Sequence, residues 1–295
     1  MRKAVRGRLV LAFGVAAAVF APAAAGGSPL TAKDEAFARS VRYRTGTIAI
    51  RDARIALPTG FRYLDARDAQ RTLTFYGNPK HSEVRALILP PRSTVLTAVY
   101  FIVATYEADG HVSDSDAEKI DYRKLLHSMQ ASEGSANEER AKQGFEPIHM
   151  AGWAEPPHYD ATSHKLYWAS NLVFGSEQVH TLNYKVRTLG REGMLALNAV
   201  AAMDDIRTVR SGMQTVLRSS RFVPGRRYED YRKGDKVSKL TVAAVVAGGA
   251  YAAAKTGLVA LLIAKLKFLA IGIAGLVGAL RKRIFRRARR TADEY

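Results

Sequence analysis

A chain of 295 residues without cysteine has no disulfide framework, thiolate zinc site, thiol nucleophile or lipidation cysteine. Its formal charge is +18, from 45 Lys and Arg against 27 Asp and Glu, but residues 1–25 carry four basic and no acidic residues, residues 240–295 carry ten and two, and the middle keeps only +6. The basicity therefore belongs to targeting and topology, and a nucleic-acid partner is not expected.

At the N-terminus, Arg2, Lys3, Arg6 and Arg8 precede an apolar run over residues 9–20, and Ala23, Ala24 and Ala25 offer a small-residue cleavage site. This is the layout of a secretory signal peptide over residues 1–25, with an apolar core too short for the ~20 residues of a bilayer span. An uncleaved anchor would export the next region just as well. Residues 26–239 then form one exported domain, large enough to build a core without covalent staples.

Within it the predicted elements are mixed. A short polar helix over 33–43 leads into a hairpin over 46–50 and 53–58, and short strands follow at 60–64 and 84–89. Residues 96–106 form a nearly continuous apolar, β-branched and aromatic run, the signature of a strand buried on both faces. Helices are expected between 116 and 143. Strands at 165–174, 179–188 and 194–201 are joined by short turns and so are antiparallel. A last helix over 205–219 gathers Ile206, Val209, Met213, Val216 and Leu217 on one face. The expected fold class is α+β, one antiparallel sheet with helices packed on it.

Residues 240–280 are almost all Ala, Val, Leu, Ile and Gly, and a basic tail over 281–295 follows with Arg281, Lys282, Arg283, Arg286, Arg287, Arg289 and Arg290. The apolar stretch reads as membrane-embedded and the tail as cytoplasmic by the positive-inside rule. One crossing satisfies the topology. Residues 240–264 are the preferred span, because 258–280 carries Lys265 and Lys267 near its centre at roughly 2.5–3.5 kcal/mol each. Ala244, Gly248 and Ala252 make a small-residue stripe suited to a partner helix or a second copy, and the tail suits anionic inner-leaflet lipid.

Several motifs carry a resemblance. They are Asn78-Pro79, Asp114-Ser115-Asp116-Ala117, Gly152-Trp153-Ala154-Glu155-Pro156-Pro157-His158-Tyr159-Asp160 and Leu182-Asn183-Tyr184. Leu189-Gly190-Arg191, Gly225-Arg226-Arg227-Tyr228-Glu229-Asp230-Tyr231 and Asp235-Lys236 follow. In this order the chain, over about residues 45–265, resembles the uncharacterised bacterial membrane-anchored proteins of domain of unknown function 2167. The resemblance implies export and anchoring and brings no mechanism. The order of elements also resembles the sandwich of the photosystem accessory protein and Mog-type binding folds, an analogy of fold alone.

For chemistry, His158, Asp160 and His164 offer two imidazoles and a carboxylate, a candidate zinc or manganese set. The competing reading is an ordered surface loop stiffened by two prolines, with Asp160 in an Asx turn and Trp153 and Tyr159 packed on the domain or a partner. Asp109, Asp114, Asp116, Glu118 and Asp121 lack EF-hand spacing; Ser115 with Glu118, and Ser135 with Glu138, instead fit helix capping boxes. No G-x-S-x-G elbow or phosphate-binding glycine loop is present. Arg187 and Arg191 flank a turn, and a solvated basic rim or an anionic-ligand contact are the readings for them. The sequence thus points to a bacterial inner-membrane protein with its main domain on the periplasmic side. It is expected to act as a non-catalytic binding or scaffold module with envelope partners. The alternative is a hydrolase of envelope material using a divalent metal, the one cofactor considered.

Overall fold

The computed structural model describes residues 30–247, apart from 77, 79–81, 143–146 and 176–179. The predicted signal peptide, nearly all of the apolar stretch and the basic tail lie outside the described residues. Within them, no helix is long and apolar enough to cross a membrane.

Helix α1 (Ala32–Ser40) opens with a capping box between Thr31 and Asp34. The hairpin β1 (Thr47–Ile50) and β2 (Ala53–Ala56) is joined by β10 (Ser220–Phe222) into a three-stranded sheet. The main sheet has seven strands: β3 (Arg62–Asp65), β4 (Val84–Leu89), β5 (Phe101–Glu107), β6 (Ile148–Asp160), β7 (Lys165–Phe174), β8 (His180–Leu189) and β9 (Met194–Ala202). Its order is β3-β4-β5-β9-β8-β7-β6, with every pairing antiparallel. Helices α2 (Ala66–Phe75), α3 (Tyr122–Ala131), α4 (Glu133–Lys142), α5 (Ile206–Arg218) and α6 (Val242–Val246) complete the fold.

Side chains alternate between faces along a strand, and both faces of the large sheet are covered. On one, Leu182, Tyr184 and Val186 of β8 and Leu195, Leu197 and Ala199 of β9 pack with Val209, Met213 and Val216 of α5 and with Ile48, Ile55 and Phe222 of the small sheet. Gly212 is required there, since an added Cβ would collide with the Tyr100 hydroxyl. The opposite face carries two separate apolar clusters. One joins α2 to β4 and β5 through Leu73, Leu87, Phe101 and Val103. The other joins Val242, Val245 and Val246 of α6 to Leu166, Trp168, Leu189 and Met194.

The predicted hairpin, the doubly buried β5, the three consecutive strands and the amphipathic α5 are present. The structure departs from expectation elsewhere. The segment expected as a surface loop is a 13-residue edge strand, β6. Its pairing with β7 shifts register three times, once between Glu155 and His158 where Pro156 and Pro157 stand. Prolines lack the N–H a ladder needs and are tolerated at edges and bulges. Helix α2 was not anticipated, although Asp65 caps it by accepting from the Asp68 amide. Neither expected capping box forms. Asp121 caps α3 instead, and Ser135 lies inside α4, donating to the Ser132 carbonyl. A second sheet replaces the single one expected, because β10 returns to β2 from far along the chain.

Candidate functional site

The residues of the predicted metal set do not converge. Asp160 accepts from the amides of Thr162 and Ser163 and from the Ser163 hydroxyl, closing the β6–β7 turn. His158 is exposed beside Tyr167, their rings 6.4 Å apart. His164, at a left-handed φ of 48° in the turn, places Nδ1 3.0 Å from the Tyr159 hydroxyl. Among the described residues, no three His, Asp or Glu side chains are placed to hold a metal ion. The turn explains this: Asp160 is spent on its amides and the Ser163 hydroxyl, and His164 leaves the strand direction at its left-handed φ.

The rest of the motif is spent on packing. Trp153 donates its indole N–H to the Tyr122 carbonyl, fixing α3, and Glu155 pairs with Arg210 of α5 at 2.9 Å. Tyr159 donates to Asp114 at 2.7 Å, which leaves His164 Nδ1 as the donor to the Tyr159 oxygen. Ala244 is fully buried against the domain; its predicted companions Gly248 and Ala252 lie outside the described residues.

The motifs that are far apart in sequence meet along one segment, residues 225–240. Arg191 grips Asp235 with two bonds of 2.7 and 2.8 Å. His111 exchanges backbone bonds with the strip beside Val237, at 2.8 Å from its amide to the Lys236 carbonyl and 2.8 Å from the Ser238 amide to its own carbonyl. Gly110 has a φ of +101°, and an added Cβ there would sit 2.5 Å from the Lys236 carbonyl oxygen. The Tyr228 hydroxyl donates to the Val112 carbonyl and accepts from the Asp114 amide, both at 3.1 Å. Four rings form a column, Tyr231–His111–Tyr228–His164, with centroids 4.2, 4.4 and 4.1 Å apart. Asp116 accepts from the Val242 amide at the start of α6.

The electrostatics of this segment follow from burial and from these bonds. Burial alone would raise the Asp114 carboxyl, but the hydroxyls of Tyr159 and Tyr228 outweigh it and leave it below its ordinary value. Burial and then the Asp114 carboxylate push Tyr159 far up, and Tyr228 is pushed to about 12. Burial lowers His111, against the pull of Asp114 and Asp235. The two hydroxyls are thus held protonated around an ionised Asp114.

Sequence reasoning missed a second site, a polar strip between the two apolar clusters of the large sheet. Asn183, Lys185 and Arg187 alternate along β8, with Asn198 of β9, Trp168 and Ser170 of β7 and Glu107 of β5 around them. Arg187 is 5% exposed and Glu107 8%, and they pair at 3.0 Å. Arg187 is thus buried where a solvated rim was one expectation. The Lys185 ammonium and the Arg187 guanidinium lie over the Trp168 ring at 5.9 and 5.4 Å. Desolvation first, and then Arg187, pull Lys185 down to about 8, with Glu107 opposing. Trp168 Nε1, Arg187 Nε and Asn183 Oδ1 are buried without a hydrogen-bond partner. The signal was in the sequence as polar–apolar alternation, which reads by default as an outward face.

Fold and site together define an α+β domain with two antiparallel sheets, whose motif residues clamp the segment leading to its C-terminal apolar stretch. The chain belongs to the family described as Protein of unknown function (DUF2167), whose model matches residues 42–278. No curated protein matches it in sequence. Among solved structures it is similar to the PsbP protein CyanoP of Synechocystis sp. PCC 6803, at 12% identity over 62% of this chain and 93% of that one, TM-score 0.36. It is also similar to the Ran-binding protein Mog1p of Saccharomyces cerevisiae, at 9% identity over 62% and 97%, TM-score 0.35. The third is LpqN of Mycobacterium tuberculosis, involved in cell envelope biogenesis, at 15% identity over 67% and 100%, TM-score 0.28.

Proposed function

We propose that this protein is a membrane-anchored envelope protein whose exported domain is a non-catalytic binding or scaffold module held rigidly at the bilayer surface. The carrying observation is the clamping of residues 225–242: Arg191 holds Asp235, His111 pairs with Lys236 and Ser238, Val112 and Asp114 bond the Tyr228 hydroxyl, and Asp116 accepts from the Val242 amide. The segment that leads to the apolar stretch is thus part of the folded domain. In this reading the one crossing lies beyond α6, whose Val242, Val245 and Val246 pack on the domain, and the tail from Arg281 to Arg290 meets anionic lipid on the cytoplasmic side, at about 1 kcal/mol per basic residue near the surface.

The absence of cysteine makes the topology directly testable. Single-cysteine variants Thr162→Cys, on the exposed β6–β7 turn, and Ala292→Cys, in the tail, are labelled in intact cells with a membrane-impermeant maleimide. Thr162→Cys is expected to label from outside, with outer-membrane permeabilisation where one is present, and Ala292→Cys only after lysis of the inner membrane. Labelling of both from the same side, or release of the protein from membranes by alkaline carbonate, overturns the reading. Replacing Arg286, Arg287, Arg289 and Arg290 with Gln is expected to weaken binding to vesicles containing anionic lipid, and unchanged binding removes the lipid contact.

A further inference from the structure

The Arg187–Glu107 pair on the sheet face is neutral in charge, although Glu107 Oε1 and Arg187 Nε are both buried without a hydrogen-bond partner. Lys185, two residues along the same strand and half-buried, adds a cation beside the same strip. Glu107, the carboxylate that acts on its ammonium, is already paired with Arg187. A desolvated charge without a counter-charge is costly, and proteins resolve such a cost by neutralising the group or pairing it. Two further donors in the strip, Trp168 Nε1 and Arg187 Nε, are buried without an acceptor. Buried donors are rarely left so, and each calls for an explanation. A water molecule would satisfy one donor and leave the charge unanswered.

We propose that this strip is an oxyanion-binding site, in which the Lys185 ammonium, Arg187 Nε and the Trp168 indole N–H receive a carboxylate, phosphate or sulfate group. The ring of Trp168 lies beneath both cations and holds them in register through cation–π attraction. The Arg187–Glu107 ion pair holds the guanidinium at Nη2 and leaves Nε without a partner. Apolar clusters flank the strip on both sides, one around Phe101, Val103, Val200 and Leu172, the other around Leu166, Leu189 and Met194. They suit an oxyanion carried on an apolar body. This inference is independent of the anchoring reading, since the topology experiment can fail while this one succeeds.

The test is calorimetric titration of the full chain in detergent at pH 8 with sodium acetate, sodium hexanoate and sodium sulfate, none of which itself titrates there. Each is run in two buffers of different ionisation enthalpy. The titratable and charged groups around the site are Lys185, Arg187 and Glu107, and an anion placed among them favours the charged lysine. Saturable binding is therefore expected with fractional proton uptake, weakening by up to ~10-fold per pH unit above pH 8. Hexanoate binding tighter than acetate assigns a carboxylate on an apolar body, and sulfate binding tightest assigns a phosphate or sulfate ester. Lys185→Met is expected to lose at least ~10-fold in affinity while unfolding at a higher temperature in anion-free buffer, the opposite of a purely structural lysine. Proton uptake by the unaltered chain decides the matter if that variant fails to fold. No saturable heat at millimolar concentrations, or binding without proton uptake, or equal binding by Lys185→Met, overturns the proposal.

Discussion

The two faces of the seven-stranded sheet are both buried, yet they are built on different principles. One is a continuous apolar core, where Tyr184, Val186 and Leu197 meet Val209 and Met213. The other is interrupted, its two apolar clusters separated by Asn183, Lys185, Arg187, Asn198 and Glu107. The first face needs only volume and shape. The second depends on charges that are stable only in company, because desolvation penalises each alone. A sheet face that gives up apolar contact for buried charge gains binding capacity at the expense of stability.

The sharpest way to break this contrast is Glu107→Ala, which strands Arg187. It is expected to cost about 3–5 kcal/mol, read by urea unfolding, whereas Glu107→Leu with Arg187→Met recovers most of that loss. If the double variant is as unstable as the single, the pair is not what holds this face. On the apolar face, Met213→Ala is expected to cost about 2–5 kcal/mol, with the same loss at pH 6 and pH 9. A strong pH dependence there would blur the distinction between the faces.

Smaller effects belong to the clamp. Gly110→Ala combines left-handed strain with a collision at Lys236 and is expected to cost about 1–3 kcal/mol. Limited proteolysis should detect faster cleavage within residues 225–240 while the sheet core stays protected. Uniform loss of protection would instead make the segment inseparable from the core.

The smallest effects come from titration. Hydrogen bonding to Arg191 holds Asp235 down to about 2, so its contribution is complete above the ordinary aspartate range and is lost as pH falls from there toward 2. Burial lowers His111, so the neutral ring favours the folded clamp, and that advantage fades as pH drops through the ordinary histidine value of about 6.5. Amide exchange at residue 111 and at Ser238, whose N–H groups make the two backbone bonds of the clamp, should therefore quicken on mild acidification and again at strongly acidic pH. His111→Phe should abolish the first step and keep the second. Persistence of the first step in that variant would assign it elsewhere.

Much of the architecture was legible in residue order. The β-branched run ending in β5, the evenly spaced strands β7 to β9 and the five-residue stripe of α5 each announced themselves through a local period of 2 or 3.6. Helix α2 was less visible, because its mixed residues Arg67, Gln70 and Thr74 dilute the buried stripe of Ala69, Thr72 and Leu73. The edge strand β6 was hidden by Pro156 and Pro157, which a central strand would exclude but a bulged edge accepts.

The sites were less legible than the fold. His158, Asp160 and His164 are near neighbours in sequence, and proximity along the chain suggested a shared ligand. An extended strand and its turn separate them again. The residues that do meet, Asp114, Tyr159, Arg191 and, within one segment, Tyr228 and Asp235, come from four places along the chain. Their motifs could be read in sequence, but not their common purpose.

The order of residues by itself determined the α+β class, the antiparallel meander, the family and the separation of basic ends from a nearly balanced middle. Each of these rests on local pattern or composition. Tertiary structure alone decided that the second face of β8 is buried, because alternation states which residues share a face and not what covers it. It also decided that residues 225–240 are clamped, since a bond between Arg191 and Asp235 depends on how two distant turns are brought together in space.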